Sequence, residues 1–194
     1  MYRLGLVDEW INSTTMVRAF VALELSAEIK GELRRAQESL RNSGIHLAFV
    51  RPELIHITVK FLGDVDEKTL PLVIAALKSI RSEPFTVSVN PITADNASRP
   101  RSVWCPIGDA GESERLFRKV EDLLAPLGFP RETRKFTPHA TIARMKRPEP
   151  GLLPALAKIR KNTYGTSPIF GMSLKKSTLT PQGPIYEDIL GVTW

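Results

Sequence analysis

The pattern His-x-Thr followed by a β-branched residue occurs twice in this chain of 194 residues. The first copy is His56-Ile57-Thr58-Val59, and the second is His139-Ala140-Thr141-Ile142. The chain has only three histidines, so two such copies would arise by chance on the order of once in a thousand sequences of this composition. The repeat indicates that the fold contains two related units.

The elements around the two motifs repeat as well. Each motif follows a helical pattern, one from about residue 26 and one from about residue 112, and another helix begins shortly after each motif. We therefore predict an α+β fold: a bilobal, duplicated unit in which two antiparallel sheets face a central cleft, with helices on the outside. A doubly wound parallel sheet is the alternative. Two features of the sequence count against this alternative. No Gly-rich phosphate loop follows the first strand, and the turn Pro181-Gln182-Gly183-Pro184 favours an antiparallel hairpin.

Hydrophobic periodicity and turn residues give the approximate boundaries of the elements. Strands are predicted at 17–25, 54–62, 85–93, 102–107 and 138–145, with two more in the tail from Ile169. Helices are predicted from Ser26 to Gly44 and at 66–80, 112–127 and 152–159, and a turn at Gly63-Asp64.

Side chains two positions apart on a strand point to the same face. We therefore expect His56 and Thr58 to project together, with Lys60 continuing the row, while Ile57, Val59 and Phe61 face the core. His139 and Thr141 form the same pair in the second unit. Related by an approximate two-fold axis, the two pairs would converge on one cleft.

Two imidazoles and two hydroxyls in one cleft are suited to in-line displacement at phosphorus. One imidazole takes a proton from the attacking group and the other gives a proton to the departing oxygen, since the histidine pKa lies near neutrality. The threonine hydroxyls can donate hydrogen bonds to the phosphate oxygens. Metal ligation is the rival interpretation, but neither segment offers the third ligand that such a site usually needs. We expect no metal and no cofactor.

The charge of the chain favours a polyanionic partner. The formal net charge is +6, and residues 131–147 hold six lysines or arginines and one glutamate, hence a net charge of +5 around His139. The single cysteine, Cys105, excludes an intramolecular disulfide and favours a reducing, cytoplasmic location. No apolar run is long enough to cross a membrane.

The first fifteen residues differ from the rest of the chain, with two acidic residues and no continuous apolar core. We interpret residues 1–15 as a dispensable leader or an upstream-start artefact, followed by a single bilobal domain at 16–194.

At these motifs the sequence resembles the 2H phosphoesterases, specifically the RNA 2′,3′-cyclic phosphodiesterases, also called 2′-5′ RNA ligases. The resemblance runs over roughly 17–192. It rests on the opening strand VRAFVALEL and on the two histidine blocks, LIHITVKFLGDV and FTPHATIAR.

The resemblance implies hydrolysis of a 2′,3′-cyclic phosphate to a 2′-phosphate, and reversible 2′-5′ ligation of tRNA halves. It implies that His139 activates water and that His56 protonates the 3′ oxygen, although a symmetric site could exchange these roles. The other implied contacts are the phosphate donors Thr58 and Thr141, a phosphate or ribose contact by Arg144, and base stacking by Phe136.

Several alternatives stay open from the sequence. Strict alternation would turn Arg144 away from His139, so Arg144 must either reach round from the end of the strand or follow a bulge. Lys60 is either a phosphate contact or a solvated strand lysine, and Phe136 is either a stacking platform or a core residue. The chain is expected to be a monomer. Its function could also be that of a non-catalytic RNA-binding module, or of an enzyme that acts on small cyclic nucleotides or ADP-ribose cyclic phosphate.

Overall fold

The computed structural model describes residues 15–194. The predicted leader, residues 1–15, lies outside the described residues except for Thr15. Ten strands are present in the described part: β1 (Met16–Glu24), β2 (Ala48–Phe49), β3 (His56–Asp66), β4 (Phe85–Val89), β5 (Thr93–Ala94), β6 (Ser102–Gly108), β7 (His139–Arg144), β8 (Gly165–Ile169), β9 (Gly171–Thr180) and β10 (Gly183–Thr193). The helices are α1 (Ala27–Asn42), α2 (Leu70–Lys78), α3 (Glu112–Leu124) and α4 (Leu152–Lys158), with short 3₁₀ turns at Pro52–Leu54 and Ala125–Leu127.

The strands form an antiparallel path in the order β10-β9-β1-β3-β7-β6-β4-β8. Its first half-sheet contains β10, β9, β1 and β3, and its second contains β7, β6, β4 and β8. The two half-sheets meet between β3 and β7, where the paired residues are Ile57 and Ala140. The predicted α+β class and the antiparallel pairing of the strands are confirmed.

Helix α1 illustrates how the sequence places a helix on the sheet. The side chain of Ser26 caps the helix by accepting a hydrogen bond from the backbone N–H of Ile29 at 3.3 Å. The apolar face then buries its side chains at helical spacing, namely those of Ile29, Leu33, Ala36 and Leu40. Burying each of them stabilises the fold by about 1–3 kcal/mol, with the alanine at the low end.

The helices are exchanged between the two halves of the duplication. Helix α1 follows β1 but packs against β8 of the second half-sheet, where the Ser26 backbone N–H donates to Ser167 Oγ at 2.8 Å. Helix α3 follows β6 but packs against β3 of the first half-sheet. Helix α3 therefore supports the first histidine strand, β3, and α1 reaches the second, β7, through Gln37, whose Nε2 donates to the Ile142 carbonyl at 2.8 Å.

The predicted turn at Gly63-Asp64 is wrong, because β3 continues to Asp66. Gly63 adopts a φ of 71° within the strand, a conformation that suits glycine. The chain turns after Asp66, whose Oδ1 accepts hydrogen bonds from the backbone N–H groups of Lys68 and Thr69 at 2.9 Å each. Helix α2 therefore begins at Leu70 rather than at Asp66.

None of the helices between residues 15 and 194 is long and apolar enough to cross a membrane.

Candidate active site

The two motifs lie side by side at the junction of the half-sheets. Ile57 is paired with Ala140, and both side chains are fully buried on the helix-covered face. Strand alternation then places the half-buried side chains of His56, Thr58, His139 and Thr141 on the opposite face. Since β3 and β7 are antiparallel, an approximate two-fold axis between Ile57 and Ala140 relates one His-Thr pair to the other.

Both imidazoles are oriented by a backbone carbonyl two residues earlier in the chain. His56 Nδ1 lies 2.7 Å from the carbonyl oxygen of Leu54, and His139 Nδ1 lies 2.8 Å from that of Thr137. A carbonyl oxygen can only accept, so each Nδ1 carries a proton and each neutral ring has an unprotonated Nε2. His56 Nε2 lies 3.1 Å from Thr58 Oγ1, which places the motif's own hydroxyl beside the reactive nitrogen.

An aromatic ring from a neighbouring strand supports each imidazole. Phe20 of β1 stacks on His56 with ring centroids 4.9 Å apart, and Trp104 of β6 packs on His139 at 4.0 Å. Tyr186 of β10 contacts His56 edge-on at 5.5 Å. These three aromatic residues were not predicted from the sequence, because only the strand order shows which strands flank the motifs.

The environment of His56 favours its neutral form. Burial lowers its pKa below the ordinary value, and this effect exceeds the opposing hydrogen bond to Leu54 and the attraction of Glu24. Glu24 is the residue opposite His56 on β1. Its carboxylate is also held by two ammonium groups, from Lys30 at 2.6 Å and Lys175 at 2.8 Å.

The environment of His139 acts in the same direction. Burial lowers its pKa, the hydrogen bond to the Thr137 carbonyl opposes this, and the positive charge of Arg144 lowers it further. Burial raises the pKa of Tyr186, whereas Arg144 again acts to lower it. The geometric link between the motifs is a shared cavity, which is lined by Thr58 of the first motif and His139 of the second.

A β-bulge follows each histidine at the same distance. In β3, Lys60 and Thr58 face consecutive residues of β1, which leaves Val59 as the extra residue. In β7, Ala143 and Thr141 face consecutive residues of β6, which leaves Ile142 as the extra residue. Each bulge thus lies three residues after its histidine and reverses the alternation of the positions beyond it.

The bulges determine the direction of the residue five positions after each histidine. Arg144 is exposed and its charge acts on His139, as expected if β7 contains a bulge rather than strict alternation. Phe61, the equivalent residue of the first motif, was predicted to face the core, and that prediction is wrong. Its side chain is 70% exposed and lies 6.0 Å from the ring of Phe20. The equal spacing from the two histidines was the signal that could have found Phe61.

Lys60 does not continue the row of His56 and Thr58. The bulge buries its side chain, and its ammonium donates to Glu121 of α3 at 2.5 Å and to the carbonyl of Pro130 at 2.9 Å. The predicted phosphate contact by Lys60 is therefore replaced by a structural ion pair. Glu121 also accepts a hydrogen bond from the backbone N–H of Glu132 at 3.0 Å, so the pair fastens the start of the loop that leads to His139.

Phe136 is half-buried beside the candidate site. One face of its ring stacks on Phe117 of α3, with centroids 4.4 Å apart and planes at 5°. It also lines a cavity of about 560 Å³ next to the motifs. The same cavity is lined by Thr58, His139, Phe61 and Trp104, and by the loop cations Arg131, Arg134 and Lys135. One cavity therefore contains an imidazole, a hydroxyl group, aromatic rings and several positive charges.

Within residues 15–194 there is no cluster of three or more histidine, cysteine, aspartate or glutamate side chains that could hold a metal ion.

Comparison with known proteins places the chain in a family. A family model described as LigT like Phosphoesterase matches residues 23–104 and 107–186. A protein of Archaeoglobus fulgidus named RNA 2′,3′-cyclic phosphodiesterase is 34% identical over 175 residues, covering 89% of this chain and 98% of the relative. A protein of the same name from Aeropyrum pernix is 36% identical over 166 residues, covering 84% and 94%.

Solved structures show the same fold. A protein from Thermus thermophilus superposes with a TM-score of 0.77 and 26% identity, covering 91% of this chain and 97% of the other. Escherichia coli LigT in complex with 3′-AMP superposes with a TM-score of 0.70 and 20% identity, covering 92% and 99%. These findings confirm the predicted relationship to the 2H phosphoesterases and the predicted class of enzyme. The chain belongs to the LigT-like phosphoesterase family.

Proposed function

We propose that this chain hydrolyses 2′,3′-cyclic phosphates at RNA ends to 2′-phosphates, by metal-independent acid–base catalysis with His56 and His139. The observation that carries the proposal is the antiparallel pairing of Ile57 with Ala140, which places on one face of the sheet two imidazoles whose Nδ1 atoms are held by backbone carbonyls and whose Nε2 atoms are unprotonated. The relatives named RNA 2′,3′-cyclic phosphodiesterase support the substrate class.

The proposed reaction is an in-line displacement at phosphorus. His139 Nε2 takes a proton from a water molecule, whose oxygen forms a new bond to phosphorus. The bond from phosphorus to the 3′ oxygen breaks, and protonated His56 donates a proton to that oxygen, which leaves a 3′-hydroxyl and a 2′-phosphate. His56 can be protonated in the complex because a bound phosphate anion raises the pKa of a neighbouring imidazole.

Hydroxyl and guanidinium groups would stabilise the charge that develops during the reaction. Thr58 and Thr141 each have a hydroxyl that can donate to a non-bridging phosphate oxygen. Arg144, brought to the cleft by its bulge, supplies a positive charge. Phe136 would stack on the terminal base with the ring face that does not contact Phe117.

Ligation belongs to the same proposal. A 5′-hydroxyl that takes the place of the attacking water would lose its proton to His139 as its oxygen forms the bond to phosphorus. The bond from phosphorus to the 3′ oxygen would break with a proton donated by His56, which joins the RNA ends through a 2′-5′ bond and leaves a 3′-hydroxyl. We propose tRNA halves as substrates for that reaction, and a monomer as the active form.

An assay on an oligonucleotide that ends in a 2′,3′-cyclic phosphate, with EDTA present, tests the proposal. We expect turnover to the 2′-phosphate, identified by chromatography against the 3′-phosphate isomer, and near-complete loss of turnover in His56→Ala and His139→Ala. The matched control is His46→Ala, since His46 is exposed and lies outside both motifs. We expect it to react at the wild-type rate.

Two results would overturn the proposal. A 3′-phosphate product would mean that the other phosphorus–oxygen bond is cleaved. Loss of activity in EDTA that added divalent cations restore would replace the metal-independent mechanism.

A further inference from the structure

A second concave surface lies at the far end of the histidine strand β7. Its cavity of about 550 Å³ lies between the loop that precedes β6 and the segment that comes after β7. Four cationic residues line it: Arg99, Arg101, Lys146 and Arg147. We call this surface the basic groove.

The four cations of the basic groove are exposed and are not neutralised by neighbouring side chains. Within residues 15–194 none of them forms a salt bridge, whereas Arg118 and Arg131 pair with Glu114 and Asp122 at 2.6 and 2.5 Å. The groove is also lined by one carboxylate, Glu149, whose Oε2 accepts a hydrogen bond from the His46 backbone N–H at 3.0 Å. A strong positive charge is therefore presented to solvent.

The loop that carries two of these cations is ordered by its own side chains. Asp95 Oδ1 accepts hydrogen bonds from the backbone N–H groups of Arg101 and Ser102 at 2.8 and 3.1 Å. Asn96 Oδ1 accepts from the N–H of Arg99 at 2.9 Å. The backbone that carries Arg99 and Arg101 is thus ordered before any ligand arrives, which lowers the entropy cost of binding.

The basic groove lies at the end of β7 and is separate from the cavity at the histidine motifs. Arg144, the last residue of β7, is paired with Ser102, and the next backbone N–H, of Met145, donates to the Arg101 carbonyl at 2.8 Å. From His139 to Arg144 a strand of this length spans about 17 Å. A mononucleotide bound at the histidines is too small to reach the groove, whereas an oligonucleotide can.

We propose that the basic groove binds the phosphate backbone of RNA upstream of the cyclic phosphate end, so that the enzyme selects oligonucleotides over mononucleotides. This inference rests on the proposed function, because it takes the histidines as the site of the terminal phosphate. The four cations of the groove can contact several successive phosphates. Within the described residues the groove has no stacked aromatic pair, so we expect it to add affinity for RNA without selecting particular bases.

The test compares two double variants that remove the same amount of charge. Arg99→Gln/Arg101→Gln changes the groove, and Lys68→Gln/Lys78→Gln changes two exposed lysines near the two ends of α2. The Kd of a labelled RNA of about twelve nucleotides ending in a 2′-phosphate is measured by fluorescence anisotropy over a range of salt concentrations. Turnover of a mononucleoside 2′,3′-cyclic phosphate is measured in parallel.

For the groove variant we expect the Kd for the long RNA to rise about tenfold at low salt. The slope of log Kd against the logarithm of the salt concentration should fall by about 1.4, since two phosphate contacts are lost and each contributes about 0.7 on a single strand. We expect turnover of the mononucleotide to stay at the wild-type rate. The lysine variant should match the wild type in all measurements.

Equal Kd values and salt slopes for the two double variants would overturn the groove proposal. A wild-type protein that does not turn over either the mononucleotide or an oligonucleotide would instead overturn the proposed function. The anisotropy measurement would still decide whether the groove binds RNA, so the two failures are distinguishable.

Discussion

Each imidazole of the candidate pair is held by a carbonyl of its own chain, two residues before the histidine. The same strand thus supplies the histidine and its orienting acceptor. It also supplies, two residues later, the threonine that shares the face of the histidine. Because the Nδ1 proton is occupied in this way, chemistry at the cleft has to use Nε2. The preceding carbonyl therefore determines the tautomer, and strand alternation determines the face of the sheet on which Nε2 lies.

We predict that Thr58→Val lowers kcat on a cyclic-phosphate oligonucleotide by about ten- to a hundredfold, because one hydrogen-bond donor to the developing phosphate charge is lost. Valine keeps the β-branched shape, so the fold should be retained. Thr58→Ser keeps the hydroxyl and should remain within a few-fold of the wild type. Equal kcat values for the valine and serine variants would show that the hydroxyl does not act on the phosphate.

The lowered pKa values of His56 and His139 predict how stability depends on pH. A histidine whose folded pKa lies below its unfolded value of about 6.5 takes up a proton on unfolding between the two values. The free energy of unfolding should therefore fall as the pH drops below about 6.5. Carboxylates such as Glu132, whose pKa the Arg134 side chain lowers to about 2, act mainly at lower pH.

Urea unfolding at pH 7.0 and at about pH 5.5 measures this effect. The wild type should lose stability between these pH values, and the double variant His56→Gln/His139→Gln should lose clearly less. If the double variant showed the same pH dependence of stability as the wild type, the lowered pKa values of His56 and His139 would be contradicted.

At the scale of elements, the two bulges decide which residues enter the cleft. The bulge at Val59 turns Lys60 inward to Glu121 and returns Phe61 to the cleft. The bulge at Ile142 returns Arg144 in the same way. It is held by the buried side chain of Gln37 in α1, whose Nε2 donates to the Ile142 carbonyl at 2.8 Å. Each bulge is therefore supported by a polar side chain from the helix that crosses over from the other half.

The ion pair of Lys60 and Glu121 can be tested by exchange for apolar residues. We predict that Lys60→Met destabilises the protein by about 3–5 kcal/mol, because Glu121 remains buried without its partner. Lys60→Met/Glu121→Leu should recover most of that loss. The KM for an oligonucleotide should stay raised in the double variant, since the loop at Pro130 and Glu132 has lost both anchors. Recovery of stability and KM together would mean that the pair does not position the loop.

Sequence periodicity was sufficient to predict the faces of the two motifs but not the directions of the residues after them. His56, Thr58, His139 and Thr141 share one face as alternation predicts. The directions of Lys60 and Phe61 were missed because a bulge has no fixed residue signature and reverses every later position. The supporting aromatic residues on β1, β6 and β10 were also missed, since strand order depends on contacts between distant parts of the chain.

At the scale of the whole molecule, the duplication explains why one cleft contains two equivalent sets of groups. The half-sheets meet at the pair Ile57 and Ala140. His56, which precedes Ile57, belongs to the first half, and His139, which precedes Ala140, belongs to the second. Helices α1 and α3 exchange between the halves, so neither half-sheet is covered by its own first helix alone. We expect the two halves to unfold together, because their supports are shared.

Single-turnover kinetics of His56→Ala, His139→Ala and the double variant on one cyclic-phosphate oligonucleotide test the central claim most directly. If both imidazoles act on the same phosphorus atom, each single variant should lose at least about a thousandfold in rate, and the double variant should lose little more than the worse single variant. A rate within about tenfold of the wild type in either single variant would contradict the account, as would losses that multiply in the double variant.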